Sequence, residues 1–73
     1  MQEERVVGND NTVRYHGRTL QIPADRHRHH YVKARVRVHE YPDRALAVFH
    51  GPRCLARYRE DGTPIESSER RAA

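Results

Sequence analysis

The chain has no tryptophan, one phenylalanine and one methionine in 73 residues, and only 36% of it is apolar. A large aromatic core is therefore excluded. Whatever core exists must be assembled from Val, Leu, Ile and the four Tyr. A domain of this length buries about 60% of the surface its unfolded chain exposes, which leaves room for one small domain of modest stability. The single cysteine, Cys54, excludes an internal disulfide and fits a reducing cytosol. Arg53 and Arg57 would favour its thiolate, but no His and Asp stand in a nucleophile's order, so a buried or half-buried packing role is expected. No apolar run approaches the roughly 18 residues of a membrane span, and no secretory signal pattern is present.

Lysine is nearly missing as well. Lys33 is the only one, so the other thirteen of the fourteen basic residues are Arg. Guanidinium forks suit bidentate contact with phosphate and with guanine, although the codon usage of a GC-rich genome gives the same bias. Against these absences stands one dense feature. Residues 1–10 carry a net charge of −2, residues 11–39 carry +6, and residues 40–73 sum to zero, within the overall +4. The basic stretch ends in Val32-Lys33-Ala34-Arg35-Val36-Arg37-Val38-His39, where apolar and basic residues alternate. Period-two alternation predicts a strand with Val32, Ala34, Val36 and Val38 in a core and Lys33, Arg35, Arg37 and His39 in a cationic row opposite. A phosphate backbone is the natural partner of such a row.

Along the chain, residues 1–4 read as a flexible N-terminus. Arg5-Val6-Val7 reads as a short strand and Gly8-Asn9-Asp10-Asn11 as a turn. Thr12–Tyr15 and Arg18–Ile22 read as a hairpin closed by His16-Gly17, with Gly17 supplying the positive φ of a tight turn. Pro23 stops that strand, and Ala24–Tyr31 reads as a loop. The alternating strand then runs Val32–Glu40, Tyr41–Arg44 turns, and Ala45–His50 and Cys54–Tyr58 form the last hairpin. Residues 59–73 read as a flexible tail too polar to offset its ordering entropy. Five to six short antiparallel strands with no helical period predict an all-β domain over residues 5–58, a small barrel or sandwich.

Two runs carry a family resemblance. The first, Arg5-Val6-Val7-Gly8-Asn9-Asp10-Asn11-Thr12-Val13-Arg14-Tyr15-His16-Gly17-Arg18-Thr19-Leu20-Gln21-Ile22-Pro23, is similar to the opening of the β-barrel that follows the catalytic core in DDE-type bacterial transposases. The second, Val36 through Leu55, resembles that barrel's "V-x-V-x-E-x-x-D-G-x-L-x-V-x-x-x-G-x-x-L" hairpin. Arg44 departs from the pattern, since the family usually has Gly there; this puts in question a turn with positive φ at that position. The resemblance implies an SH3-like barrel related in architecture to the C-terminal DNA-binding domain of retroviral integrases. It also implies that the chain is one domain of a larger recombinase, located in the bacterial cytoplasm with the nucleoid. The metal-binding DDE carboxylates of that family lie upstream of this segment and are not in this chain.

The candidate DNA contacts are Lys33, Arg35, Arg37 and His39, then Arg14 and Arg18 flanking the His16-Gly17 turn, then Arg53 and Arg57. An ordinary solvated strand face is the alternative for the row, but such faces mix signs and this one has no acid before Glu40. His27, His29 and His30 invite a metal reading, which fails on ligand count and on the interleaved Arg26 and Arg28; no metal or cofactor is expected. A basic loop whose charge rises at low pH fits better. Tyr15, Tyr31, Tyr41 and Tyr58 are expected to pack at strand ends, with base stacking as the other option. No catalytic constellation is present. The expected function is a non-catalytic domain that binds double-stranded DNA through its phosphates during transposition, beside the transposase catalytic domain and monomeric in isolation. A protein-interaction module that packs on the catalytic core is the alternative and requires an exposed apolar patch around Phe49, Leu20 or Ile22. RNA binding shares the electrostatics.

Overall fold

The computed structural model describes residues 2–23 and 30–65. Six antiparallel strands make up the fold: β1 Gln2–Val6, β2 Thr12–Tyr15, β3 Arg18–Gln21, β4 Arg35–Glu40, β5 Leu46–His50 and β6 Arg53–Tyr58. They form a four-stranded sheet in the order β1-β4-β5-β6 and a two-stranded sheet β2-β3. The all-β expectation holds, and the arrangement is consistent with an SH3-like barrel. Among the described residues no helix is long and apolar enough to cross a membrane. The sheets enclose one core in which Val36 and Val38 of β4 meet Leu46 and Val48 of β5, Val13 and Leu20 of the hairpin, and Tyr15, Tyr31 and Tyr58.

The β2-β3 hairpin turns as its sequence requires. His16 and Gly17 both take positive φ, at 48° and 82°, which is the two-residue turn whose twist matches its strands. Asn11 ties the corner before it to the rest of the barrel. At φ 62° it donates from Nδ2 to the Ile22 carbonyl (2.7 Å) and accepts the Tyr31 N–H on Oδ1 (2.7 Å). Its own carbonyl receives the Ile22 N–H at 3.0 Å.

β3, β5 and β6 differ from the sequence reading by one residue at one end, and three boundaries differ by more. β1 starts at Gln2 and pairs with β4 along its whole length, Gln2 opposite His39 through Val6 opposite Arg35. β4 starts at Arg35 rather than Val32. Residues 31–34 form a turn in which the Ala34 N–H reaches the Tyr31 carbonyl and Lys33, at φ 68°, donates its N–H to Val7. A left-handed residue breaks the alternation, so neither Val32 nor Lys33 takes its place in the strand. Finally, residues 59–65 are not a loose tail. Gly62 (φ 93°) turns the chain back, Tyr58 bridges Pro64, and the Ile65 N–H bonds the Arg57 carbonyl. Asp61 caps this turn by accepting the Thr63 N–H, and Gly62 is buried where a Cβ would press on Arg18 and Leu20. Residues 24–29 and 66–73, which hold most of the expected His/Arg loop and the rest of the expected tail, lie outside the described residues.

Candidate nucleic-acid interface

Directly opposed residues of antiparallel strands share a face. The registers therefore define the outer face of the four-stranded sheet. β4 contributes Arg35, Arg37 and His39 while Val36 and Val38 point inward, as the alternation predicts. Across β5, Phe49 stands opposite Arg37 and Ala47 opposite His39. Across β6, Arg57 stands opposite Ala47 and Cys54 opposite Phe49. Arg35, Arg37, His39 and Arg57 thus lie on one surface. Cys54 is exposed there, not buried as its sequence context suggested, because the irregularity between Val48 and Phe49 gives the buried site to Leu55.

The same registers bring in an acid. Glu4 of β1 faces Arg37, and its Oε1 lies 4.0 Å from the Arg35 guanidinium. With both side chains more than half exposed (71% and 61%), this contact contributes about 0–1 kcal/mol. Glu40 does not mark the end of the row. It turns to the inner side and accepts the Tyr15 hydroxyl at 3.1 Å. That bond and, more strongly, burial raise the Tyr15 hydroxyl above its ordinary range.

The cations of the face differ in availability. Arg35 is largely exposed. Arg37 donates from Nη2 to the Gly51 carbonyl in the β5-β6 turn and lies with Cζ 5.7 Å from the Phe49 ring centroid, so half of its fork is spent holding the sheet. His39 leans on Tyr41, ring centroids 4.5 Å apart. Among the described residues no acid pairs with Arg57.

The remaining candidates do not join this surface. Lys33 sits in the turn before β4. Arg14 and Arg18 point to opposite sides of their hairpin, because Arg14 opposes Thr19 while Arg18 opposes buried Tyr15. The two candidate contacts that flank the His16-Gly17 turn therefore do not share a side. Arg18 lies over the Tyr15 ring (5.7 Å), its Nη1 buried without a hydrogen-bond partner among the described residues. Arg14 lines a depression with Arg5, Val6 and Asp10, and borders the cationic face only through Val6, the neighbour of Arg35. Arg53 opposes His50, on the other side of β6 from Arg57. Of the apolar residues expected in an interaction patch, Leu20 and Ile22 are in the core and Phe49 is half-buried beside Arg37.

Three of the four tyrosines (Tyr15, Tyr31, Tyr58) are fully buried. Burial strongly raises the Tyr58 hydroxyl, which donates to the Gln21 carbonyl at 2.6 Å and so links β6 to β3. Tyr41 is half-buried and lines a cleft of about 530 Å³ with Pro42, Leu46, Arg57 and Ile65. Sequence reasoning grouped the four tyrosines and missed both this cleft and Glu4. The signal for Glu4 was its two-residue offset from Val6 on a neighbouring strand, which means nothing until the register is known. Among the described residues no three His, Cys, Asp or Glu converge as a metal site; His30 is described and exposed, while His27 and His29 are not described. Compared with known proteins, the chain matches no protein-family model, no curated protein and no solved structure.

Proposed function

We propose that this chain is a non-catalytic β-domain that holds double-stranded DNA by its phosphates on the outer face of the β1-β4-β5-β6 sheet. The observation that carries the reading is the gathering of Arg35, Arg37, His39 and Arg57 on that one face, against Glu4 as the acid in register among the described residues. An antiparallel sheet with one face on the core presents its other face as a broad platform, which suits a backbone that makes several contacts in parallel. The resemblance of residues 5–23 and 36–55 to the barrel of DDE-type transposases supports a place in a recombinase, where the domain holds transposon-end or target DNA against a catalytic core.

The test is a salt titration of duplex binding, wild type beside Arg35→Ala/Arg57→Ala. These two are the informative pair, because Arg37 is also needed by Gly51 and Phe49. Each lost phosphate contact lowers the slope of log affinity against log salt by about 0.9, so the double variant flattens it by roughly two units. Absence of binding at low salt, or an unchanged slope, overturns the reading.

A further inference from the structure

We infer that the Tyr41 cleft receives an unpaired nucleobase, so that the DNA this domain prefers carries a single-stranded extension. The inference rests on the DNA reading above and deepens it. The cleft, at about 530 Å³, falls within the roughly 300–1,000 Å³ of small-ligand sites. It lies at one end of the cationic face, because Arg57, which lines it, shares a cross-sheet row with Ala47 and His39. Its walls pair an aromatic ring with the apolar edges of Pro42 and Ile65, over a floor at the buried Leu46. That lining suits the flat π-face of a base of any identity. Arg57 supplies the charge for the adjoining phosphate, or a second plane on which the base can lie. Asp43 also borders the cleft, but its Oδ1 accepts the Ala45 N–H at 3.0 Å and so belongs to the turn.

Duplex and extension would then divide the surface. Phosphates of the paired region run over Arg35 and Arg37, and the first unpaired base leaves the stack into the cleft. A fully paired end must break a base pair to do the same, which gives the domain a reason to distinguish the two. A peptide would also fit an apolar cleft. The continuity of the cleft with a cationic platform favours a polyanion that carries flat apolar groups, and a nucleic acid strand is that polymer.

The experiment compares fluorescence-anisotropy affinities of the full chain for a blunt duplex and for the same duplex with a single-stranded extension, at one fixed salt. Stacking of one base predicts roughly five- to hundred-fold tighter binding of the extended duplex. Tyr41→Ala abolishes that ratio and Tyr41→Phe keeps it. The ratio is insensitive to any fraction of unfolded variant, since both DNAs sample the same protein. A 2-aminopurine in the extension is quenched on binding by wild type and by Tyr41→Phe, and not by Tyr41→Ala. Equal affinity for the two DNAs overturns the inference alone and leaves the cleft to a protein partner. A preference that survives Tyr41→Ala overturns it as well. Failure to bind either DNA overturns both this inference and the reading beneath it.

Discussion

Arg44 offers the sharpest single test of how this sequence makes its turns. It takes φ 73° where Tyr41–Arg44 links β4 to β5. The turn is closed by the Arg44 N–H on the Tyr41 carbonyl (2.8 Å) and the Tyr41 N–H on the Ala45 carbonyl (2.9 Å). The transposase-barrel pattern that this stretch resembles has Gly at this place, and the departure raised the question of whether positive φ survives; it does. A side chain with a Cβ pays about 1–2 kcal/mol for a left-handed conformation, so Arg44→Gly removes strain. The substitution also removes the Arg44–Glu60 ion pair, Nη1 to Oε2 at 3.1 Å between side chains 68% and 59% exposed. Such a pair contributes about 0–1 kcal/mol. The net expectation is a stabilisation of about 1 kcal/mol, equivalent to a rise in Tm of roughly 4–8 °C for a domain this small.

The assay is urea or thermal unfolding of four proteins, wild type, Arg44→Gly, Glu60→Gln and the double variant. In the Glu60→Gln background no ion pair remains to be lost, so the glycine gain there is larger, about 1–2 kcal/mol. A glycine that gains nothing in that background refutes the strain argument. The difference between the two backgrounds measures the ion pair separately.

Asn11→Ala removes a side chain that bonds both Ile22 and Tyr31 and leaves a Cβ residue without those bonds at φ 62°; unfolding titrations should show a loss of about 2–4 kcal/mol. Glu3 is held below the ordinary carboxylate range by its hydrogen bond with His16 and then by Arg5. A depressed folded-state value stabilises above the unfolded pKa, about 4.3, and is lost as pH falls, so Glu3→Gln should flatten the acid limb of stability against pH. On the binding side, Glu4→Gln should tighten DNA binding and steepen its salt dependence by up to about one unit, because it frees Arg35; a weaker complex would contradict the face assignment.

How much of this was legible depended on the range of the interaction. The His16-Gly17 hairpin and the inward Val36 and Val38 follow from local alternation and turn chemistry, and the sequence states them directly. Lys33 was misplaced because alternation continues through Val32-Lys33-Ala34 while the backbone does not. The turn closes on itself through the Ala34 N–H and the Tyr31 carbonyl, and it is held in place by Val7, a partner remote in the chain that accepts the Lys33 N–H and donates to the Ala34 carbonyl. The end of the ordered chain was misjudged for a related reason. Residues 59–65 bury little of their own, yet Asp61-Gly62 is a strong turn signal, and Gly62 is buried so close to Arg18 and Leu20 that a Cβ would press on them. What no local pattern carries is the register between β1 and β4, and with it the place of Glu4.

That register changes what the basic strand means. Alternating charge on one strand creates a row, but a row is a site only if its neighbours leave it available. Here β1 sets Glu4 beside Arg35, and β5 draws Arg37 onto Phe49 and the Gly51 carbonyl. The row alone is therefore weaker than four adjacent cations would suggest. It is completed from across the sheet, by Arg57, two strands away and without an acidic partner among the described residues. A footprint spread over β4 and β6 is wider than one strand can offer. The strands of a sheet lie about 4.8 Å apart, so β4 and β6 are separated by close to 10 Å. That separation lets two backbone contacts form without crowding like charges, which is how the sheet can gather cations on one face and still keep its strands paired.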